Sequence, residues 1–231
     1  WTPGITLCDG IAAEYAQENR IVKFHHDFDE DILSTARSMA KRYKCHGAHV
    51  REVERACEMI FTAMKKYHGL GSRERLLLRI AAILHDCGKF VSITRGTESS
   101  YGIIMATEII GLSHLEREIV ANVVRYNIQE YAYDEVMVET DPSQYAAGVS
   151  KQDLNILIAK LTAILRLANS MDRSHSQKLK DCRMAVRDNT LVVTTAYPGS
   201  IALEEYSFGQ KADFFEEVFA IRPVLRQKRG M

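Results

Sequence analysis

The chain has 231 residues, 46% hydrophobic and 26% charged, with 30 Lys and Arg against 30 Asp and Glu. At roughly 150 residues per domain, that length makes one full domain with an appendage and is ample for a sizeable core. The balanced charge argues against a dedicated nucleic-acid binder, no apolar run reaches the ~20 residues that cross a bilayer, and residues 1–20 lack the basic start and apolar stretch of a secretory signal.

Residues 1–28 hold no sustained hydrophobic period. Pro3, Gly4 and Gly10 punctuate them, so they read as a linker. A helix is predicted over 29–44, where Ile32, Leu33, Ala36, Met39, Ala40 and Tyr43 recur at helical spacing. Acidic residues open it and basic residues close it, as the helix dipole favours. The next helix is predicted over 47–67, with a stripe from Val50 to Met64 and a stop at Gly69 and Gly71. Ser72 then caps a third over 73–87, with Gly88 as its stop. Its middle, Leu76 to Leu84, is apolar nearly all round and belongs at the centre of the protein. A short helix follows over 100–109. Ser113 and Glu116 form a capping box for a helix reaching Tyr126.

Residues 127–150 lack a clear period and carry Glu130, Asp134, Glu135, Glu139 and Asp141 with no Lys or Arg, the character of a lid or mobile segment. Ser150 opens a helix running to about Asp172. Beyond Lys180 the pattern alternates around Asp188-Asn189, a hairpin signal. Residues 201–206 suit a third strand, 210–220 a helix and 222–226 a returning strand. The expected fold is mainly α: a helical domain over 29–178, then a small α+β domain over 179–231.

Five scattered cysteines without a C-x-x-C pair suit a reducing cytoplasm better than a disulfide framework or a Cys-rich zinc site. Cys57 reads as a small buried hydrophobe. The chemistry gathers around His85 and Asp86, which directly follow the all-apolar helix. His85 lies one turn after Ala81 and inherits its inward face. A buried carboxylate is costly unless it is paired or bound to a metal, so the two are either a hydrogen-bonded structural pair or half of a metal site. The other His-Asp pair, His26-Asp27, sits in a polar stretch and reads as a decoy.

His49, beside the stripe of its helix, is either a satisfied core histidine or a third ligand. Asn169 and Asp172, three residues apart near the end of a core helix, share a face. They add two more candidate metal positions; for Asp172 the competing reading is an ion pair with Arg173 or Lys178. Residues 37–95 hold thirteen Lys and Arg against five Asp and Glu. Such a lobe is either a set of solvated helix faces or a cationic surface for an anionic, phosphorylated substrate. Lys89 and Arg173 flank the cluster and are the best phosphate-binding candidates. No glycine-rich phosphate loop, G-x-S-x-G elbow or H-E-x-x-H motif is present.

His49, then His85-Asp86, then a polar residue late in a helical domain resembles the HD superfamily of metal-dependent phosphohydrolases. The stretches AAILHDCGKF, SYGIIMATEIIGLSHLEREIVANVVRYN and LTAILRLANSMDRSHSQK resemble the carboxyl-terminal half of the exopolyphosphatase and guanosine pentaphosphate phosphohydrolase family. The opening GITLCDGIAAEYA is similar to the join where that family's actin-like amino-terminal half ends. The resemblance implies a phosphoanhydride hydrolase whose catalytic centre sits mainly in the actin-like half, a preceding segment over 1–28 that ends that half, polyphosphate or guanosine pentaphosphate as ligand, and a homodimer. The chain departs from the pattern at Asn169, where relatives carry Asp, and at Ser99 and Asn127, where many carry His. A divalent metal, Mg²⁺ or Mn²⁺, is then held weakly or not at all. Two expectations follow: a metal-dependent phosphohydrolase, or a non-catalytic polyphosphate-binding and dimerisation module with a degenerate metal site.

Overall fold

The computed structural model describes residues 7–18, 28–133, 138–142, 145–146 and 148–228. Leu7–Glu18 forms helix α1 inside the stretch expected to be a linker. Ile11 and Tyr15 on it are exposed. The pair His26-Asp27 lies outside the described residues.

Phe28–Arg42 is α2, with Asp29, Glu30 and Asp31 in its first turn and Lys41 and Arg42 in its last. It buries Ile32, Leu33, Ala36, Met39 and Ala40, the stripe that the sequence marks. The helix expected over 47–67 is two helices: α3, Gly47–Ala63, and α4, Lys65–His68, parted at Met64. The turn is closed by His68, whose Nε2 donates to Phe61 O at 3.0 Å while its Nδ1 accepts from Leu70 N–H at 2.8 Å. Gly69, at φ 65°, ends α4 in the left-handed region that glycine tolerates.

Helix α5 spans Ser72–Leu84. Gly71 rather than Ser72 stands at its N-cap, and the Glu74 carboxylate accepts the Gly71 N–H at 2.6 Å. Leu76, Leu77, Leu78 and every residue from Ile80 to Leu84 are buried, and α2, α3, α7 and α8 pack around them. Each such Leu or Ile contributes about 1.5–3 kcal/mol. α5 stops three residues short of its expected end, and Cys87–Phe90 form a 3₁₀ turn, η1. The cause is Gly88: a Cβ there would stand 2.0 Å from Gly96 O and 2.3 Å from Ser100 N. The chain turns because the next helix, α6 (Gly96–Ala106), presses on that glycine. α6 begins and ends earlier than the 100–109 expected, with Glu98 in its first turn.

The capping box at Ser113 and the helix start at Ser150 are as the sequence implies. Ser113 and Glu116 open α7, His114–Arg125, and Ser150 with Asp153 opens α8, Lys151–Ser170. Parts of the acidic segment between them are tied down, unlike a free lid. Glu118, buried in α7, accepts the N–H groups of Glu139 at 2.6 Å and Thr140 at 3.2 Å, and Tyr145 donates to Glu74. Asp134 and Glu135 lie outside the described residues.

Strands β1, Arg183–Arg187, and β2, Thr190–Thr195, form an antiparallel hairpin. Asp188 and Asn189, at φ 46° and 54°, make the tight turn that their residue types favour. The strand expected over 201–206 is a helix instead: α9 runs Ala202–Phe219. Ala, Leu and two Glu open it, all strong helix formers with no β-branched residue among them. Buried Glu204 fixes the start, accepting Ser174 N–H and Lys178 Nζ, each at 3.1 Å. The chain then returns as β3, Arg222–Gln227, parallel to β2, giving sheet order β1-β2-β3. A parallel pair needs a crossover, and α9 supplies it while packing on α8. The protein is thus mainly helical with a small mixed sheet. All five cysteines are free, Cys57 fully buried among them. Among the described residues no helix is long and apolar enough to cross a membrane.

Candidate functional site

Two helix ends build the site. His49 sits in the first turn of α3, where the His46 ring caps the helix by accepting His49 N–H at 3.2 Å. His85 and Asp86 occupy the turn after α5, where Gly88 and Ser100 hold the backbone: Gly88 N–H donates to Ser100 Oγ at 2.8 Å. His49, His85 and Asp86 are all buried, and one ligand atom from each lies within 4.8 Å of the others.

The hydrogen bonds settle which atoms face inward. His49 Nδ1 donates to Asp172 Oδ2 at 2.9 Å, and His85 Nδ1 donates to Ala82 O at 2.7 Å. Each ring therefore carries its proton on Nδ1 and turns an Nε2 lone pair into the site. The two Nε2 atoms stand 3.3 Å apart. Asp86 Oδ2 accepts from Lys89 Nζ at 2.7 Å, whereas Asp86 Oδ1 is buried with no hydrogen bond, 3.4 Å from His85 Nε2. Two lone pairs and an orphaned carboxylate oxygen converge without a donor among them. Buried acceptors in that state are costly.

A proton on one imidazole would relieve the cluster, but burial pushes the His85 pKa below its ordinary value. Burial also opposes the Asp86 charge, yet His85 and Lys89 outweigh it and hold that carboxyl below the usual range. The hydrogen bonds leave one nitrogen of each imidazole and one Asp86 oxygen open, a donor set that suits a divalent cation. The residues fit a metal: His49, His85 and Asp86 can hold one, and Asp172 steadies His49 from behind as carboxylates do for ligating histidines.

The other anticipated residues fall elsewhere. Asp172 reaches the cluster only through the His49 ring and also accepts Gln177 N–H at 2.7 Å. Asn169 lines a cavity between α8 and α9. α8 ends at Ser170, so Asn169 lies in its last turn and Asp172 just beyond it. Lys89 stands at the rim, half-exposed. Arg173 is exposed and belongs to the α8–α9 cavity. Of the thirteen cations of 37–95, five arginines, Arg37, Arg55, Arg73, Arg75 and Arg79, each pair with a glutamate.

Sequence reasoning missed His175, whose ring stacks on His49 with centroids 3.8 Å apart and planes 6° apart. It sits at φ 55° in the turn after α8, where no period points to it. Burial and the neighbouring His49 lower its pKa. Gln177, which donates through N–H and Nε2 to Asp172, was equally invisible.

No curated protein matches the chain. Residues 33–204 match the Ppx/GppA phosphatase family, domain III. That span takes in the metal group, the turn after α5 and all of α8, about three quarters of the chain, and it agrees with the resemblance carried by the 81–90 and 161–178 stretches. On this match the chain belongs to the Ppx/GppA phosphatase family.

Proposed function

We propose that this chain is the HD-type, carboxyl-terminal region of a phosphoanhydride hydrolase acting on polyphosphate or guanosine pentaphosphate, and that it holds a divalent metal on His49, His85 and Asp86. The observation that carries the metal is the donor-free convergence of His49 Nε2, His85 Nε2 and Asp86 Oδ1. Two imidazoles with one carboxylate suit Mn²⁺ better than Mg²⁺, which prefers an all-oxygen shell. Such an ion supplies charge to phosphoryl oxygens and acidity to water. The chain's own groups do the positioning. Asp172 keeps a proton on His49 Nδ1, Ala82 O does so for His85, and Lys89 neutralises one Asp86 oxygen while its remaining N–H groups face the rim, where phosphate oxygens would approach.

A second reading keeps the phosphate and drops the chemistry: a polyphosphate-binding and dimerisation module with a degenerate metal site. It is favoured by Asn169 and Arg173, which open onto the α8–α9 cavity. One experiment separates the two. The chain is assayed with Mn²⁺ or Mg²⁺ for phosphate release from polyphosphate and guanosine pentaphosphate, beside His85→Ala, and both proteins are analysed for bound metal. Metal-dependent turnover that disappears with His85→Ala supports hydrolysis by this region. A metal-free chain with no turnover and salt-sensitive polyphosphate binding supports the module. Sedimentation of the same samples tests the homodimer.

A further inference from the structure

We propose that His175 is a positioning residue of the metal group, holding the His49 ring in the plane that aims its Nε2 into the site. The two rings lie face to face, with centroids 3.8 Å apart and planes 6° apart. His175 stands outside the set of converging ligand atoms, which come from His49, His85 and Asp86. It is half-buried, and neither of its ring nitrogens has a hydrogen-bond partner among the described residues. A polar ring held by its face and not by its nitrogens is placed for what it covers.

The backbone supplies an independent sign. His175 and Gln177 stand at φ 55° and 49°, the left-handed region that side chains rarely adopt. Strain of this kind persists where surrounding contacts over-determine it, and it gathers at functional sites. The contacts are local. His175 N–H donates to Asp172 O at 2.9 Å, and Gln177 Nε2 donates to His175 O at 2.8 Å. Gln177 also donates to the Asp172 carboxylate through its N–H at 2.7 Å and its Nε2 at 3.2 Å. Residues 172–177 thus close on themselves as a bracket with two working parts. The Asp172 carboxylate takes the edge of His49, accepting Nδ1–H at 2.9 Å, and His175 takes its face. A hydrogen bond tolerates a bend of about 30°, so the edge contact alone leaves the ring room to tilt. An aromatic ring laid against the face restrains that tilt. Contacts that orient a ligating imidazole set its affinity for the metal.

The inference rests on the metal reading above, and its test begins without the metal. In the EDTA-stripped full chain at neutral pH or above, proton–nitrogen correlation spectra of the imidazoles read the His49 tautomer. The parent carries the proton on Nδ1 alone, His175→Ala shows both tautomers, and His175→Phe, which keeps a flat ring, restores the parent pattern. Mn²⁺ is then titrated into all three, with the free ion read by electron paramagnetic resonance. His175→Ala weakens Mn²⁺ binding roughly 10-fold or more, the cost of losing a group that orients a ligand, and His175→Phe binds as the parent does. Melting of the three metal-free proteins is alike, which separates orientation of His49 from general packing. A Phe variant that binds as weakly as the Ala variant makes His175 a ligand and overturns the positioning role. So does an Ala variant equal to the parent in both measurements, or a loss of affinity that only follows a lower melting point. A parent chain that takes up no Mn²⁺ sinks the metal reading, and the spectra then decide alone: one tautomer in all three proteins overturns the bracket. If His175→Ala fails to fold, His175→Gln, which keeps polar bulk without a ring, takes its place.

Discussion

The metal group and the α8–α9 cavity both hold buried polar atoms without partners, and their deficits have opposite sign. Around His85 three acceptors converge without a donor. Around Asn127 three cations and an amide without a hydrogen-bond partner line one cavity. They also differ in support. Each ligating imidazole is braced from behind, His49 by Asp172 and His85 by Ala82 O. In the cavity Arg166 is braced by Tyr126 O, and among the described residues Arg173 and Lys211 have no hydrogen-bond or ion-pair partner. The contrast teaches that the sign of an unmet buried need identifies the ligand class, and that the amount of bracing sets how sharply geometry is imposed. A metal demands fixed lone pairs; a phosphate tolerates cations that adjust.

The bracing is the easiest part of that contrast to break. Asp172→Asn removes the charge behind His49 with little change in volume, and metal affinity falls roughly 10–100-fold by equilibrium dialysis. Next in size is the turn that places Asp86. Gly88→Ala drives a methyl into backbone atoms of α6, costs about 1–3 kcal/mol in chemical denaturation, and lowers metal occupancy with it. The smallest effect sharpens the contrast by control. His68 is a buried histidine whose two nitrogens are both satisfied, and burial lowers its pKa from 6.5. The unfolded chain therefore binds the extra proton first, and stability present above the unfolded value is lost as pH falls from about 6.5 toward the folded value. The metal-free chain melts lower at mildly acidic pH than at neutral pH, and His68→Gln flattens part of that slope without altering metal uptake.

The helical frame is legible wherever a local rule decides it. The Ser113–Glu116 and Ser150 caps, the charged ends of α2 and the Asp188-Asn189 turn are set by neighbours in sequence. His85 and Asp86 are legible because they follow a run too apolar to lie at a surface. What stays hidden depends on distant contacts. The turn at 85–90 is imposed by Gly96 and Ser100 on Gly88; α9 starts where Glu204 meets Ser174 and Lys178; His175 stacks on His49 from a segment with no period. Residues 37–95 show the limit of counting charge along a chain, since the arginines meet glutamates on other turns and other helices: Arg73 reaches Glu116 and Arg79 reaches Glu54.

The crossover through α9 has a further consequence. The family match ends at residue 204, so the inner wall of the α8–α9 cavity belongs to the shared domain while Tyr206, Ser207, Gln210 and Lys211 come from beyond it. The pairing of β3 with β2 holds that outer wall in place like a detachable faceplate. Exchanging the faceplate would reshape that cavity and leave the turn carrying His85 and Asp86 as it stands, a modular route by which relatives with one common interior can diverge.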